Sequence, residues 1–227
     1  VRHLIKSPAA ETPAAETCAV PPQRSVTAAG PVRGAARTRL EATARIVTDV
    51  LQPRNVLLAG LVGVGTAAGG NVSGAAWGLF AALCAGVIPA AYIEWERKRG
   101  TWGDRHVVDR TQRAPIFAVI LGSIGVGSAV MLLAHAPADI LIAMVSLWAV
   151  TVVLLAVNTF WKISVDSAVA SGVVALLAAV ASPWWLLGYV LVAAVCWSRV
   201  ALTYHSVAQT VAGASVGAAS AAMFVLL

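Results

Sequence analysis

The chain has 227 residues, of which 59% are hydrophobic and only 11% charged, with a formal net charge of +6. Soluble domains of this size carry about 25% charged residues, so this chain lacks the polar surface to face water, and lipid is its expected solvent. The length suits one compact domain rather than a single anchor. The basic residues flank apolar runs, which points to membrane topology and away from nucleic acid.

Residues 1–34 are rich in Ala, Pro, Thr and Ser and hold few large apolar groups, so they are expected to form a disordered tail. No apolar run follows Arg2 and Lys6, so this stretch does not read as a secretory signal. Residues 35–54 differ. Leu40, Ile46, Val47, Val50 and Leu51 lie mostly on one stripe at helical spacing, with Arg39, Arg45 and Asp49 among the polar positions. This pattern predicts an amphipathic helix lying on the membrane surface. Pro53 marks its break from the first span.

Residues 55–227 form the third segment, a transmembrane domain of catalytic type. Seven apolar runs follow one another here, at about 56–70, 74–93, 115–135, 138–160, 164–181, 184–198 and 206–227. They are continuous rather than alternating, which favours helices over a barrel. The fold class expected is therefore all-α, a polytopic bundle of six to seven spans. Gly65/Gly69 and Gly213/Gly217 have the small-xxx-small spacing of helix contacts. Cys84 and Cys196 lie in apolar runs and read as packing residues. With Cys18 they form neither a disulfide framework nor a zinc spacing.

If the runs alternate in direction, all sixteen Lys and Arg residues fall on one face. Eight lie between Arg2 and Arg54, and six are Arg97, Lys98, Arg99, Arg105, Arg110 and Arg113. Lys162 and Arg199 complete the set. The opposite loops, 71–73, 136–137 and 182–183, hold none. Short basic loops stay in the cytoplasm, so the charged face is expected to be cytoplasmic, in a cell membrane. Trp95, Trp102, Trp161, Trp184, Trp185 and Trp197 read as interface anchors. His135 and Asp139 read as loop residues on the opposite face.

Three segments of the charged face carry polar groups at or near membrane depth. They are Lys98-x6-Arg105, then Lys162-Ile-Ser164-Val-Asp166-Ser167, then Ser198-Arg199-x5-His205-x3-Gln209. Charges near hydrocarbon cost several kcal/mol unless they are paired or line a cavity, so these segments are a candidate site. Lys98, Lys162, Arg105 and Arg199 can hold phosphate oxygens, with Ser164 and Ser198 as further donors. His205 is the evident nucleophile or base. Gln209 follows it at a spacing that lets it orient the ring. Asp166 can protonate a leaving oxygen if burial raises its pKa, or pair with Lys162 four residues earlier.

In order and spacing the three segments resemble the type-2 phosphatidic acid phosphatase superfamily, which includes the vanadium haloperoxidases. That family carries Lys-x6-Arg-Pro, Pro-Ser-Gly-His and Ser-Arg-x5-His-x3-Asp. Lys98, Arg105, Ser164, Ser198, Arg199 and His205 match. His106 replaces a proline, Asp166 the second-motif histidine and Gln209 the final aspartate. The resemblance covers about residues 90–227. It implies a metal-independent phosphoryl-transfer pocket in which His205 attacks phosphorus. The implied function is hydrolysis of a lipid or isoprenoid phosphate or diphosphate reached from the cytoplasmic face. Two other readings use the same pocket. One is a diphosphate lyase, terpene cyclase or prenyl transferase that uses Mg²⁺ held by Asp104, Asp109 or Asp166. The other is a non-catalytic lipid-binding descendant. No protein partner is indicated.

Overall fold

The computed structural model describes residues 31–70, 72–99 and 110–226. Every regular element among them is helical, with no strand. The order is α1 (Pro31–Val50), α2 (Pro53–Gly69), α3 (Val72–Ala82), a π-helical turn (Leu83–Val87), α4 (Ile88–Lys98), α5 (Arg110–Leu133) and α6 (Ala138–Phe160). Then come α7 (Val165–Val180), a 3₁₀ turn (Pro183–Gly188), α8 (Tyr189–Ala201), α9 (Val207–Ala218), a second 3₁₀ turn (Ala219–Ala222) and α10 (Met223–Leu226). The expected tail lies outside the described residues up to residue 30, and α1 begins at Pro31, before the expected boundary. Proline suits a first helical turn, where its missing N–H has no partner to lose.

Four continuous helical stretches are long and apolar enough to cross a membrane: Val72–Lys98, Pro115–Leu133, Ala138–Phe160 and Pro183–Ala201. The other apolar runs fold as shorter pieces. α2 has 17 residues and α7 has 16. The last run is broken into α9, a 3₁₀ turn and α10. Large apolar side chains stand exposed around the bundle, among them Val126, Leu132, Val153, Val190 and Val211. Such a perimeter fits lipid as solvent and not water.

Side-chain contacts fix the helix directions. Trp148 on α6 donates to the Leu121 carbonyl on α5 at 3.2 Å, and Gly127 further along α5 lies against Met144 earlier in α6, so these two run antiparallel. Ser171 on α7 meets Tyr189 at the start of α8 at 3.3 Å, while Asp166 meets Arg199 at its end, so this pair is antiparallel too. Gly60 and Gly63 of α2 lie against Val173 and Leu177 of α7, so these run parallel, while Gly65 lies against Gly74 and Leu57 against Gly86, so α2 and α3–α4 run antiparallel. The same end of the bundle therefore carries Arg54, Lys98, Lys162 and Arg199. Trp184 and Trp185 stand exposed at the other end, and Trp95 and Trp161 at the charged end. Trp102 lies outside the described residues.

Helix ends follow capping chemistry. α5 stops in a Schellman turn: Ala136 N–H bonds the Met131 carbonyl at 2.9 Å and His135 N–H the Leu132 carbonyl at 3.2 Å. His135 takes the left-handed conformation there, with φ of 56°. This gives the opposite-face histidine a structural role.

α2 and α3 approach backbone to backbone. A Cβ on Gly78 would lie 2.5 Å from the Leu61 carbonyl oxygen, and one on Gly65 would meet the Gly74 carbonyl and the Gly78 backbone. Because backbone rather than a flexible side chain stands in the way, the helices must separate to accept a methyl group. Gly65→Ala is expected to destabilise the protein by about 2 kcal/mol, whereas Gly122→Ala, with open space around it, changes little. Unfolding of the purified protein in mild detergent compares the two.

Candidate functional site

The site is built where α7, α8 and α9 meet at the charged end. Ser164 caps α7: its hydroxyl accepts from Ser167 N–H at 3.4 Å, and its N–H donates to the Gln209 carbonyl at 3.2 Å. The α7 and α9 starts are thereby tied together. Gly213 and Gly217 allow the approach, since a Cβ on either would strike the α7 carbonyls of Ser164 or Ala168. Both helices present their N-termini to this end, where unpaired N–H groups favour anions.

Arg199 lies in the last turn of α8 and is only 8% exposed. Its Nη2 sits 3.2 Å from Asp166 Oδ1, with the carboxylate in the first turn of α7. Each charge is at the helix end that its sign prefers. The alternative pairing of Asp166 with Lys162 is not what forms. Lys162 precedes the helix, so spacing by four residues does not place it on the same helical face. Lys162 Nζ donates instead to the Tyr204 carbonyl at 3.0 Å.

His205 arrives through a second Schellman turn. Tyr204 N–H bonds the Arg199 carbonyl at 3.0 Å and Thr203 N–H the Val200 carbonyl at 2.9 Å. Thr203 holds the left-handed conformation with φ of 58°, which costs a β-branched residue roughly 1–2 kcal/mol. The turn brings His205 back towards Arg199, and the Tyr204 ring lies 6.0 Å from the guanidinium carbon. Ser206 then starts α9 with a capping box, its hydroxyl accepting from Gln209 N–H and its own N–H donating to Gln209 Oε1 at 3.0 Å. The side-chain oxygen of Gln209 thus serves the helix cap.

Two buried side-chain nitrogens lack a hydrogen-bond partner among the described residues: Arg199 Nε and His205 Nδ1. Both belong to this cluster. Buried polar atoms are nearly always satisfied, so this pair stands out as hydrogen-bonding capacity left unmet among the described residues. Burial pushes the His205 pKa below the usual imidazole value, and the Lys162 charge pushes the same way. The Asp166 carboxylate and a side-chain hydrogen bond with Gln209 oppose both, without reversing the direction. A neutral ring with a free nitrogen is the form needed for nucleophilic attack.

The structure brings Lys162, Asp166, Arg199, His205 and Gln209 together. Ser164 and Ser198 are beside them but fully buried. Ser198 donates to the Val195 carbonyl at 2.8 Å and accepts from Thr48 of α1 at 3.3 Å. Lys98 is at the same end, exposed, and its ion-pair partner is Glu94 at 3.7 Å. Arg105, His106, Asp104 and Asp109 lie outside the described residues. Of the alternative Mg²⁺ ligands, Asp166 alone is described, and it faces Arg199. Among the described residues no group of three or more His, Cys, Asp and Glu side chains is gathered to hold a metal.

Sequence reasoning missed the docking of α1. Its Ala44, Val47, Thr48 and Leu51 edge turns inward and lies over α8, while Leu40, Ile46 and Val50 remain exposed. It also missed a cavity of about 290 Å³ between α2, α4, α5, α6 and α7. Comparison with family models, curated proteins and solved structures finds no match to the chain.

Between the usual and the lowered pKa of His205, the unfolded chain holds the proton and the folded chain does not. Stability is therefore expected to fall as pH drops below about 6.5. Thermal unfolding from pH 7.5 to pH 5 should show this slope, and it should flatten in His205→Asn.

Proposed function

We propose that the chain is a polytopic membrane enzyme related to the type-2 phosphatidic acid phosphatases. In this reading it hydrolyses an isoprenoid or other lipid diphosphate at the cytoplasmic face of a cell membrane. The observation that carries the reading is the coincidence of the two unpartnered buried nitrogens, Arg199 Nε and His205 Nδ1, in one cluster with Lys162 and Asp166. The motif spacing assigned phosphate binding and attack to Arg199 and His205 on separate grounds.

The seven helical segments α2, α3–α4, α5, α6, α7, α8 and α9–α10 are read as seven spans. α1 is read as lying in the interface, with its exposed apolar edge in lipid and Arg45 and Asp49 towards water. The basic end is assigned to the cytoplasm by its charge.

Arg199 and Lys162 hold the phosphate oxygens at the α7 and α9 N-termini, and Arg105 joins them if its motif role carries over. His205 attacks the terminal phosphorus. A nitrogen–phosphorus bond forms as the bridging P–O bond breaks, and the electron pair leaves with the lipid monophosphate. Water then cleaves the phosphohistidine, releasing inorganic phosphate and restoring the neutral ring. The Asp166 carboxylate is engaged by Arg199 and acts as an acceptor, so among the described residues no neutral acid stands ready for an alkoxide. A diphosphate suits such a site, because its leaving group departs as a stable anion.

The purified protein is expected to release phosphate from farnesyl diphosphate without added metal. His205→Ala should lower the rate by at least about a hundredfold. Farnesyl monophosphate should react much more slowly in the unaltered protein. Equal rates in His205→Ala and the unaltered protein would rule out the histidine route. Diphosphate release that requires Mg²⁺ would favour the lyase reading.

A further inference from the structure

The apolar cavity has a direction. Gln52, Arg54 and Val165 line it near the charged end, whereas Leu61, Ile124 and Leu176 line it deep in the bundle. Between Val165 and Leu176 it follows α7 for about 16 Å at 1.5 Å per residue, roughly half the hydrocarbon thickness of a bilayer. The π-helical turn builds one wall. A π turn widens the helix by one residue, and here Ala85 and Gly86 in the turn, with Pro89 just after it, face the cavity. The opening is marked by charge. Arg54 is exposed at the start of α2, and no ion pair or side-chain hydrogen bond of Arg54 occurs among the described residues.

A volume of about 290 Å³ is at the small end of ligand pockets, which run to about 1,000 Å³. That space, lined by five helices and about half a bilayer deep, is sized for one chain and not two. The free guanidinium at the mouth selects an anionic head. We propose that this cavity is the chain-binding site for a single-chain anionic amphiphile, with Arg54 as an additional head-group residue. The proposal deepens the function proposed above and rests on it in taking the head to be the phosphate that His205 meets. Val165 lines the cavity, and the next residue, Asp166, meets Arg199, so the mouth and the polar cluster are neighbours along the first turn of α7, although Lys162, Arg199 and His205 do not line the cavity.

Filling the cavity tests this without reference to turnover. A Cβ on Gly86 meets its nearest neighbours at ordinary distance, Leu57 Cβ at 3.8 Å and the Arg54 carbonyl oxygen at 3.9 Å. Gly86→Leu therefore extends into the cavity, and Ala90→Leu fills it from α4. The probe is dodecyl phosphate, titrated against the protein in phosphatidylcholine nanodiscs by equilibrium dialysis, with dodecanol and dilauroyl phosphatidate for comparison. Dodecyl phosphate is expected to bind saturably at one per chain, and the other two at least about tenfold more weakly. Both filled variants should lose about tenfold or more in affinity while unfolding near the unaltered temperature, and Arg54→Ala about tenfold. Equal affinity for dilauroyl phosphatidate, or unchanged binding in both filled variants, would overturn the proposal even if phosphate release is seen. Saturable binding lost on filling, with no phosphate release from any lipid, would remove the phosphatase reading and leave the chain site standing.

Discussion

The ion pair between Asp166 and Arg199 is the interaction on which the charged end depends. Burying a guanidinium costs several kcal/mol unless an opposite charge meets it. Here the carboxylate comes from a different helix, so the pair couples the start of α7 to the end of α8. The end of α8 in turn forms the Schellman turn that carries Tyr204 and His205. That turn leads into the capping box of α9, whose Gln209 carbonyl receives the Ser164 N–H at the cap of α7. The result is a closed circuit of constraints around two nitrogens that have no partner among the described residues. The single contact between Nη2 and one carboxylate oxygen leaves Nε without a partner among the described residues.

Close packing makes this circuit possible in lipid, where apolar association between helices is weak. Glycine pairs let α2 approach α3 and α9 approach α7 with backbones nearly touching. The larger side chains Phe117, Ile120, Ile124, Leu147 and Leu154 of α5 and α6 line the apolar cavity, with α2 and α7 across from them. Tight contacts on one side of α7 and a cavity on the other place a rigid polar cluster next to room for an apolar chain. α1 adds a cover through the hydrogen bond from Thr48 to Ser198.

The helical class was legible because continuous apolar runs admit no alternating strand. The four long stretches of the structure, Val72–Lys98 among them, coincide with four of those runs. What periodicity could not reveal is where a run is interrupted. The π turn at Leu83–Val87 and the 3₁₀ break after Ala218 occur inside apolar sequence that looks uniform. Lys162, Asp166, Arg199 and His205 were recognisable because charge is rare at membrane depth. Their pairing was not, since the partner of Asp166 depends on α7 starting after Lys162. Ser164 and Ser198 drew notice as donors, yet their hydroxyls bond within the protein. Ser206 and Gln209 stand at capping-box spacing, a signature that local sequence does contain. Thr48 carried no signal, because only tertiary packing gives it a partner.

A double-mutant cycle on Asp166 and Arg199, read as unfolding free energy in mild detergent, tests the central claim most directly. Asp166→Ala alone should cost about 3 kcal/mol, because it leaves a buried guanidinium unpaired. Adding Arg199→Met should recover much of that loss, giving a coupling above about 1.5 kcal/mol. Losses that simply add, to within about 0.5 kcal/mol, would mean that the pair does not hold α7 to α8, and the circuit built on it would fail.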